Sequence, residues 1–290
     1  MASNSLVELR DHLLTLGDDT KAIALAIGAR AALRTIPLLQ HLSWDKPLRK
    51  RMRKGLGRPR MSNSEIVLGT FRCAATAWVT ARFPAFGMSD HFHEIKHAAR
   101  MAGGAEDAGA TAASYAPYAA HNAMMVALAV FEDRHRQYAA MSAGQTVGAG
   151  AIGFEHAYAP EPVKPSQASR DQRDAVNREL SGVVRIMWDA AWSDIRRLGN
   201  VGNSPQSLLM QALWLTPPRR FIQEDWRKLS ERLLERTDEH WGVWIDWYEA
   251  QLAGPVDLSE REEIERVSLP NHVWAQGAAF VNGRIFGHVD

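Results

Sequence analysis

Residues 220–254 read RFIQEDWRKLSERLLERTDEHWGVWIDWYEAQLAG. Ile222, Trp226, Leu229 and Leu233, and then Trp241, Trp244, Tyr248 and Leu252, recur at three- and four-residue intervals, the period of one face of a helix or a helix pair. Gly254-Pro255 ends the pattern, because glycine caps a helix C-terminus and proline cannot continue it. Working outward, the same period dominates the chain. Ser259-Glu260-Arg261-Glu262 is a capping box that starts a short helix ending near Pro270. Trp241, Trp244 and Tyr248 share a face, which predicts packing on a tail that includes Val273, Trp274, Phe280 and Ile285. Trp247 points partly away from that face, so it is read as aromatic surface left for a partner.

Upstream, Val176, Leu180, Val183, Met187, Trp188, Ala191, Ile195 and Leu198 mark a long helix over about residues 169–198. Ser204-Pro205 and Thr216-Pro217 each look like an N-cap followed by proline. Nearer the start, Leu6, Leu9, Leu13, Leu14 and Leu16 suit an amphipathic helix. A second helix runs from about Thr20 to Thr35, near Pro37. Ser62-Asn63-Ser64-Glu65 is another capping box, opening a helix that ends before Pro84. Residues 89–103 have a helical pattern, and residues 105–141 form an alanine-rich packing element that Pro117 would kink. No strand pattern and no internal repeat of 20–50 residues is found. The expected fold is all-α, an irregular multi-helix bundle without a significant β-sheet.

The 290 residues are 46% hydrophobic and 23% charged, an ordinary globular composition. Cys73 is the single cysteine, so no intrachain disulfide forms and no multi-cysteine zinc site exists. That fits a reducing compartment, and the expected location is cytoplasmic. The apolar run 22–39 is broken by Arg30 and Arg34, so no uncharged stretch reaches the about 18–20 residues needed to span a bilayer, and no membrane partner is expected. Three regions are expected: an N-terminal helical region over 1–145, a Gly/Pro-rich linker over 146–168, and a Trp-rich helical region over 169–290. Within the linker, Gly148-Ala149-Gly150-Ala151-Ile152-Gly153 matches G-x-G-x-x-G. Without a preceding strand it reads as a flexible loop, not a dinucleotide fingerprint.

Several segments together resemble a group of alphaproteobacterial helical proteins with no assigned activity. The most specific is WGVWIDWYEAQLAG at 241–254, a WxVWxDWYExxLxG motif, followed by SLPNHVWAQGAAFVNGRI at 268–285. ARAALRTIPLL (29–39), WDAAWSDIRRL (188–198) and ALWLTPP (212–218) extend the likeness over about half the chain, densest after residue 170. The resemblance implies a helical cytoplasmic protein, and it carries over no catalytic residue.

Three patterns bear on function. Residues 46–60, KPLRKRMRKGLGRPR, hold eight basic side chains and no acidic one: Lys46, Arg49, Lys50, Arg51, Arg53, Lys54, Arg58 and Arg60. Removing these eight from the total of 34 leaves 26 basic against 33 acidic residues, so an acidic body carries a basic arm. The arm suits an acidic partner or a nucleic-acid backbone, and Gly57-Arg58-Pro59-Arg60 resembles the centre of an AT-hook, with Leu56 where that motif has arginine. Second, His93-Glu94-Ile95-Lys96-His97 is an H-E-x-x-H. On a helix His93 and His97 would hold one Zn²⁺ and Glu94 would activate its water. Lys96 inside the motif and the lack of a third ligand at a diagnostic spacing argue against it; Glu106, His121 and Glu132 are the alternatives for that ligand. Third, Glu94/His97 and Glu132/His135 are both E-x-x-H, the helical pair of di-iron bundles, which would also need glutamates such as Glu65 and Glu179. Cys73, in an apolar helix, reads as a buried hydrophobe. The leading expectation is a cytoplasmic helical interaction or scaffold protein without catalytic activity, needing no cofactor and contacting another protein or itself. A metal-dependent hydrolase with zinc at His93 and His97 comes second, and a nucleic-acid binder using the arm third.

Overall fold

The computed structural model describes residues 2–42, 44, 61–85, 112–131, 136–158, 170–199, 203–254 and 259–287. The fold is all-α. Among the described residues there are twelve α-helices and no strand. They are α1 (Ala2–Thr15), α2 (Thr20–Thr35), α3 (Asn63–Arg82), α4 (Tyr115–Phe131), α5 (Arg136–Tyr158), α6 (Arg170–Leu198), α7 (Pro205–Leu209), α8 (Arg220–Leu234), α9 (Gly242–Ala253), α10 (Glu260–Val267), α11 (Asn271–Trp274) and α12 (Ala278–Phe286). A 3-10 turn, Ile36–His41, continues α2 where Pro37 removes a backbone donor.

Helix α2 is the centre. It packs on α3, α4, α5 and α6, and nearly every residue from Ile23 to Thr35 is buried. Helices α4 and α5 pair with each other, α1 covers α5, and α3 lies against α4. One continuous apolar core joins Leu9 and Leu13 of α1 to Trp244, Trp274 and Val281 near the C-terminus. The segment Gly17–His41 is long and apolar enough to cross a membrane by length and composition alone, yet 94% of its apolar 18-residue stretch is buried inside the fold. It is a core helix here, and its two arginines point into the protein.

Helix boundaries follow local chemistry. Ser62 and Ser259 accept from the amides of Glu65 and Glu262, closing both expected capping boxes. Ser204 caps α7, with Pro205 as its first residue. Thr216-Pro217 does not cap a helix. α8 begins at Arg220, because Pro217-Pro218 bars helical geometry from the residues before them. Pro117 does not interrupt α4. It lies in the first turn, where backbone amides have no helical acceptor to lose.

The expected linker needs correction. Residues 146–158 are the C-terminal half of α5, and the G-x-G-x-x-G segment is buried helix rather than loop. Residues 159–168 lie outside the described residues, as do the expected helix at 89–103 and Pro255. Glycine costs a helix about 1 kcal/mol relative to alanine, so four glycines read as a break. Packing reverses that reading. A Cβ on Gly150 would sit 2.6 Å from Met187 Cε and 2.9 Å from Thr35 Cγ2, and one on Gly153 would sit 2.6 Å from Leu38 Cδ1 and 2.8 Å from Tyr115 Cβ. The missing side chains let α5 close onto α2, α4 and α6. Gly150→Ala and Gly153→Ala should therefore each lose about 1–3 kcal/mol through overpacking, despite alanine's better helix propensity. Thermal melts read this directly, and a raised melting temperature would contradict the packing argument.

Candidate functional site

Two polar assemblies stand out, one buried and one at the surface. The buried one begins with the arginines that interrupt the apolar run. Arg30 and Arg34, one turn apart on α2, are 0% and 1% exposed. Arg30 Nε donates to Asp194 Oδ2 at 3.1 Å, and Arg34 Nη1 lies 2.7 Å from the same oxygen as an ion pair off the hydrogen-bond axis. Arg30 also donates to the carbonyls of Leu208, Gln211, Ala212 and Leu213, so all five guanidinium donors are used. Arg34 donates twice to Leu213 O and lies 5.3 Å from the Trp214 ring centre. Burial lowers the Arg30 guanidinium to about 10, Asp194 opposing, and it stays charged at neutral pH. Burial alone would raise Asp194, but Arg34 and Arg30 more than offset this and hold it below the usual carboxylate range. This assembly is sealed from solvent and positions the backbone.

The surface assembly lies where the 3-10 turn meets α8. His41 Nε2 is 2.6 Å from Asp225 Oδ2, and Tyr158 donates its hydroxyl to the same oxygen at 2.7 Å. Burial pushes the Tyr158 hydroxyl far up, and Asp225 adds to the effect, so the phenol remains a donor. Asp225 thus ties α8, the 3-10 turn and α5 at one point. The Tyr158 ring also stacks on Phe154 and leans on Phe221.

Three residues beyond His41 stands Trp44, half-buried. The guanidiniums of Arg232 and Arg236 lie 5.6 and 5.3 Å from its ring centre. Arg232 is in the last turn of α8, seven residues after Asp225, so both sit on one face about 10 Å apart. Arg236 follows just past the helix end. With Glu235, these residues line a cleft of about 210 Å³. Arg236 reaches Ser64 Oγ at 3.3 Å and Glu239 Oε1 at 3.6 Å.

The residues singled out from the sequence fare differently. Lys46, Arg49, Lys50, Arg51, Arg53, Lys54, Arg58, Arg60, His93, Glu94 and His97 all lie outside the described residues, as do Glu106, Glu132 and His135. Glu65 caps α3, Glu179 belongs to α6 and His121 to α4. Among the described residues no group of three His, Cys, Asp or Glu is placed to hold a metal. Cys73 is buried, and burial pushes its thiol up to about 12.

Trp247 is a correction. It is 1% exposed, 6.4 Å from Phe71 and 5.8 Å from Trp244 by ring centres. Helix α9 is apolar on several sides, with α3 and the tail both against it, so it has no outward aromatic face. The expected packing of the tail is present at Trp244 but not at Tyr248, which bonds Leu33 O and packs on Trp226. Trp244 donates to Asn282 Oδ1 at 2.8 Å, Asn282 donates on to Glu239 O at 2.7 Å, and Trp274 lies under the Arg72 guanidinium at 4.3 Å. Sequence reasoning missed Trp44, Arg232 and Arg236. The available signal was a tryptophan two residues before a run of eight basic side chains.

Comparison of the chain with protein-family models, with curated proteins and with solved structures gives no match.

The buried assembly supports a direct test. Asp194→Asn leaves two guanidiniums without a buried counter-charge, and breaking such a group costs about 3–5 kcal/mol. Asp194 is depressed in the fold, so its contribution is complete above the unfolded carboxylate range and fades as pH falls below about 4. Asp194→Asn should therefore lower stability at pH 7 and flatten its loss on acidification. Urea melts across pH 3–7 that superimpose on those of the wild type would contradict this.

Proposed function

We propose that this chain is a helical interaction protein, working by contact rather than chemistry. Its contact surface is the Trp44 cleft together with the basic segment 46–60, and its partner is polyanionic. One observation carries the reading: a half-buried tryptophan, flanked by two arginines, stands two residues before fifteen residues that hold eight positive charges and no negative one. Tryptophan and arginine are the residue types that dominate binding energy at interfaces. The basic arm favours a partner of opposite sign.

The supporting elements suit that role. The His41–Asp225–Tyr158 cluster clamps the chain just before Trp44, so the aromatic ring and its arginines are held before a partner arrives. Preorganisation of this kind lowers the entropy cost of binding.

Heparin is a suitable probe, because it tests charge without assuming a partner. Full-length protein should bind heparin at low salt and release it as salt rises, since each neutralised charge frees counterions. Arg49→Gln, Lys50→Gln, Arg51→Gln and Arg53→Gln combined should weaken binding at least tenfold with the melting temperature unchanged. Wild-type protein that ignores heparin at low salt would overturn the reading.

A further inference from the structure

We infer that the Trp44 cleft is a phosphate subsite and that the polyanion is the phosphodiester backbone of a nucleic acid. This rests on the polyanion reading and adds the chemistry of the ligand.

The cleft offers two planar guanidinium forks, the geometry that pairs with phosphate oxygens. Among the described residues no carboxylate pairs with Arg232, whose guanidinium lies by the Trp44 ring. Arg236 pairs with Glu239 at 3.6 Å and donates to Ser64 Oγ at 3.3 Å. That carboxylate is already engaged, taking Ser64 Oγ at 2.9 and 2.8 Å and Trp241 Nε1 at 2.6 Å. The cleft of about 210 Å³ is several times the about 30 Å³ share of a water, so a hydrated phosphate group fits.

The sequence that follows Trp44 chooses between phosphate classes. Eight basic residues within fifteen, with no acid among them, answer a regular array of single charges rather than one phosphorylated side chain, which favours the backbone of a nucleic acid over a phosphoprotein.

The test is fluorescence anisotropy with a labelled 20-nucleotide single-stranded DNA across a salt series. It uses full-length wild-type protein and the double variant Arg232→Gln/Arg236→Gln. Wild-type affinity should fall linearly on a log–log plot. Removing two phosphate contacts should lower that slope by about 1.4, at about 0.7 per contact on a single strand. Arg232→Lys/Arg236→Lys keeps the charges and should keep the slope, which guards against a folding defect in the glutamine variant. Unlabelled DNA should compete at least tenfold better than poly-L-glutamate or a phosphoserine peptide at equal charge. An unchanged slope in the glutamine variant would overturn the subsite. Equal competition by poly-L-glutamate would overturn the phosphodiester assignment and leave the polyanion reading standing. Stronger competition by the phosphoserine peptide would move the partner to phosphoproteins. Failure of DNA, poly-L-glutamate and heparin alike would end both readings.

Discussion

The constraint on which the structure depends is the charge buried on its central helix. Arg30 and Arg34 are carried by α2, the helix around which α3, α4, α5 and α6 are arranged. A guanidinium cannot shed its proton cheaply, so burying two of them demands a carboxylate and a set of acceptors in fixed positions. Asp194 supplies the first from α6, and the carbonyls of Leu208, Gln211, Ala212 and Leu213 supply the second. The arrangement specifies more than it stabilises. A well-packed apolar substitute can be as stable, but it would not dictate the path of the chain from α7 towards α8. Gln251 O then accepts from Leu213 N, and Tyr248 donates to Leu33 O, so α9 is registered against the same point.

That registration extends to the surface. Helix α2 runs straight into the 3-10 turn, and His41 at its end meets Asp225 on α8. Trp44 is therefore three residues from an anchored histidine and faces the last turn of a helix whose inner face is core. The surface around Trp44 is thus anchored at its root. In the proposed polyanion reading the two parts divide the work of recognition: the arm raises the encounter rate through its charge, and the cleft sets a local geometry.

Much of the architecture was legible in the residues. The limits of α2, the capping boxes at Ser62 and Ser259, and the packing of Trp244 against the tail follow from period and cap chemistry. What failed to show depends on partners distant in sequence. Arg30 looked like an interruption of an apolar run, because its counter-charge lies 164 residues away. The glycines of α5 looked like a linker, because the side chains they accommodate belong to α2, α4, α6 and the 3-10 turn. Trp247 looked surplus, since a single-stripe argument cannot anticipate a helix covered on several sides. The same limit hid the cleft. Trp44 and Arg232 are 188 positions apart, and the basic run beside Trp44 was the one local sign of a site.

The central claim is that binding occurs at Trp44 and the basic segment rather than elsewhere on the helical body. Photo-crosslinking maps this directly. A single-stranded oligonucleotide carrying a photoreactive thymine analogue is irradiated with the full-length protein at low salt, and the modified peptides are identified by mass spectrometry. The account predicts adducts within residues 44–60 and on the end of α8 near Arg232 and Arg236, lost when unlabelled oligonucleotide is in excess. Specific adducts confined to other surfaces, such as α6 or α12, would contradict it.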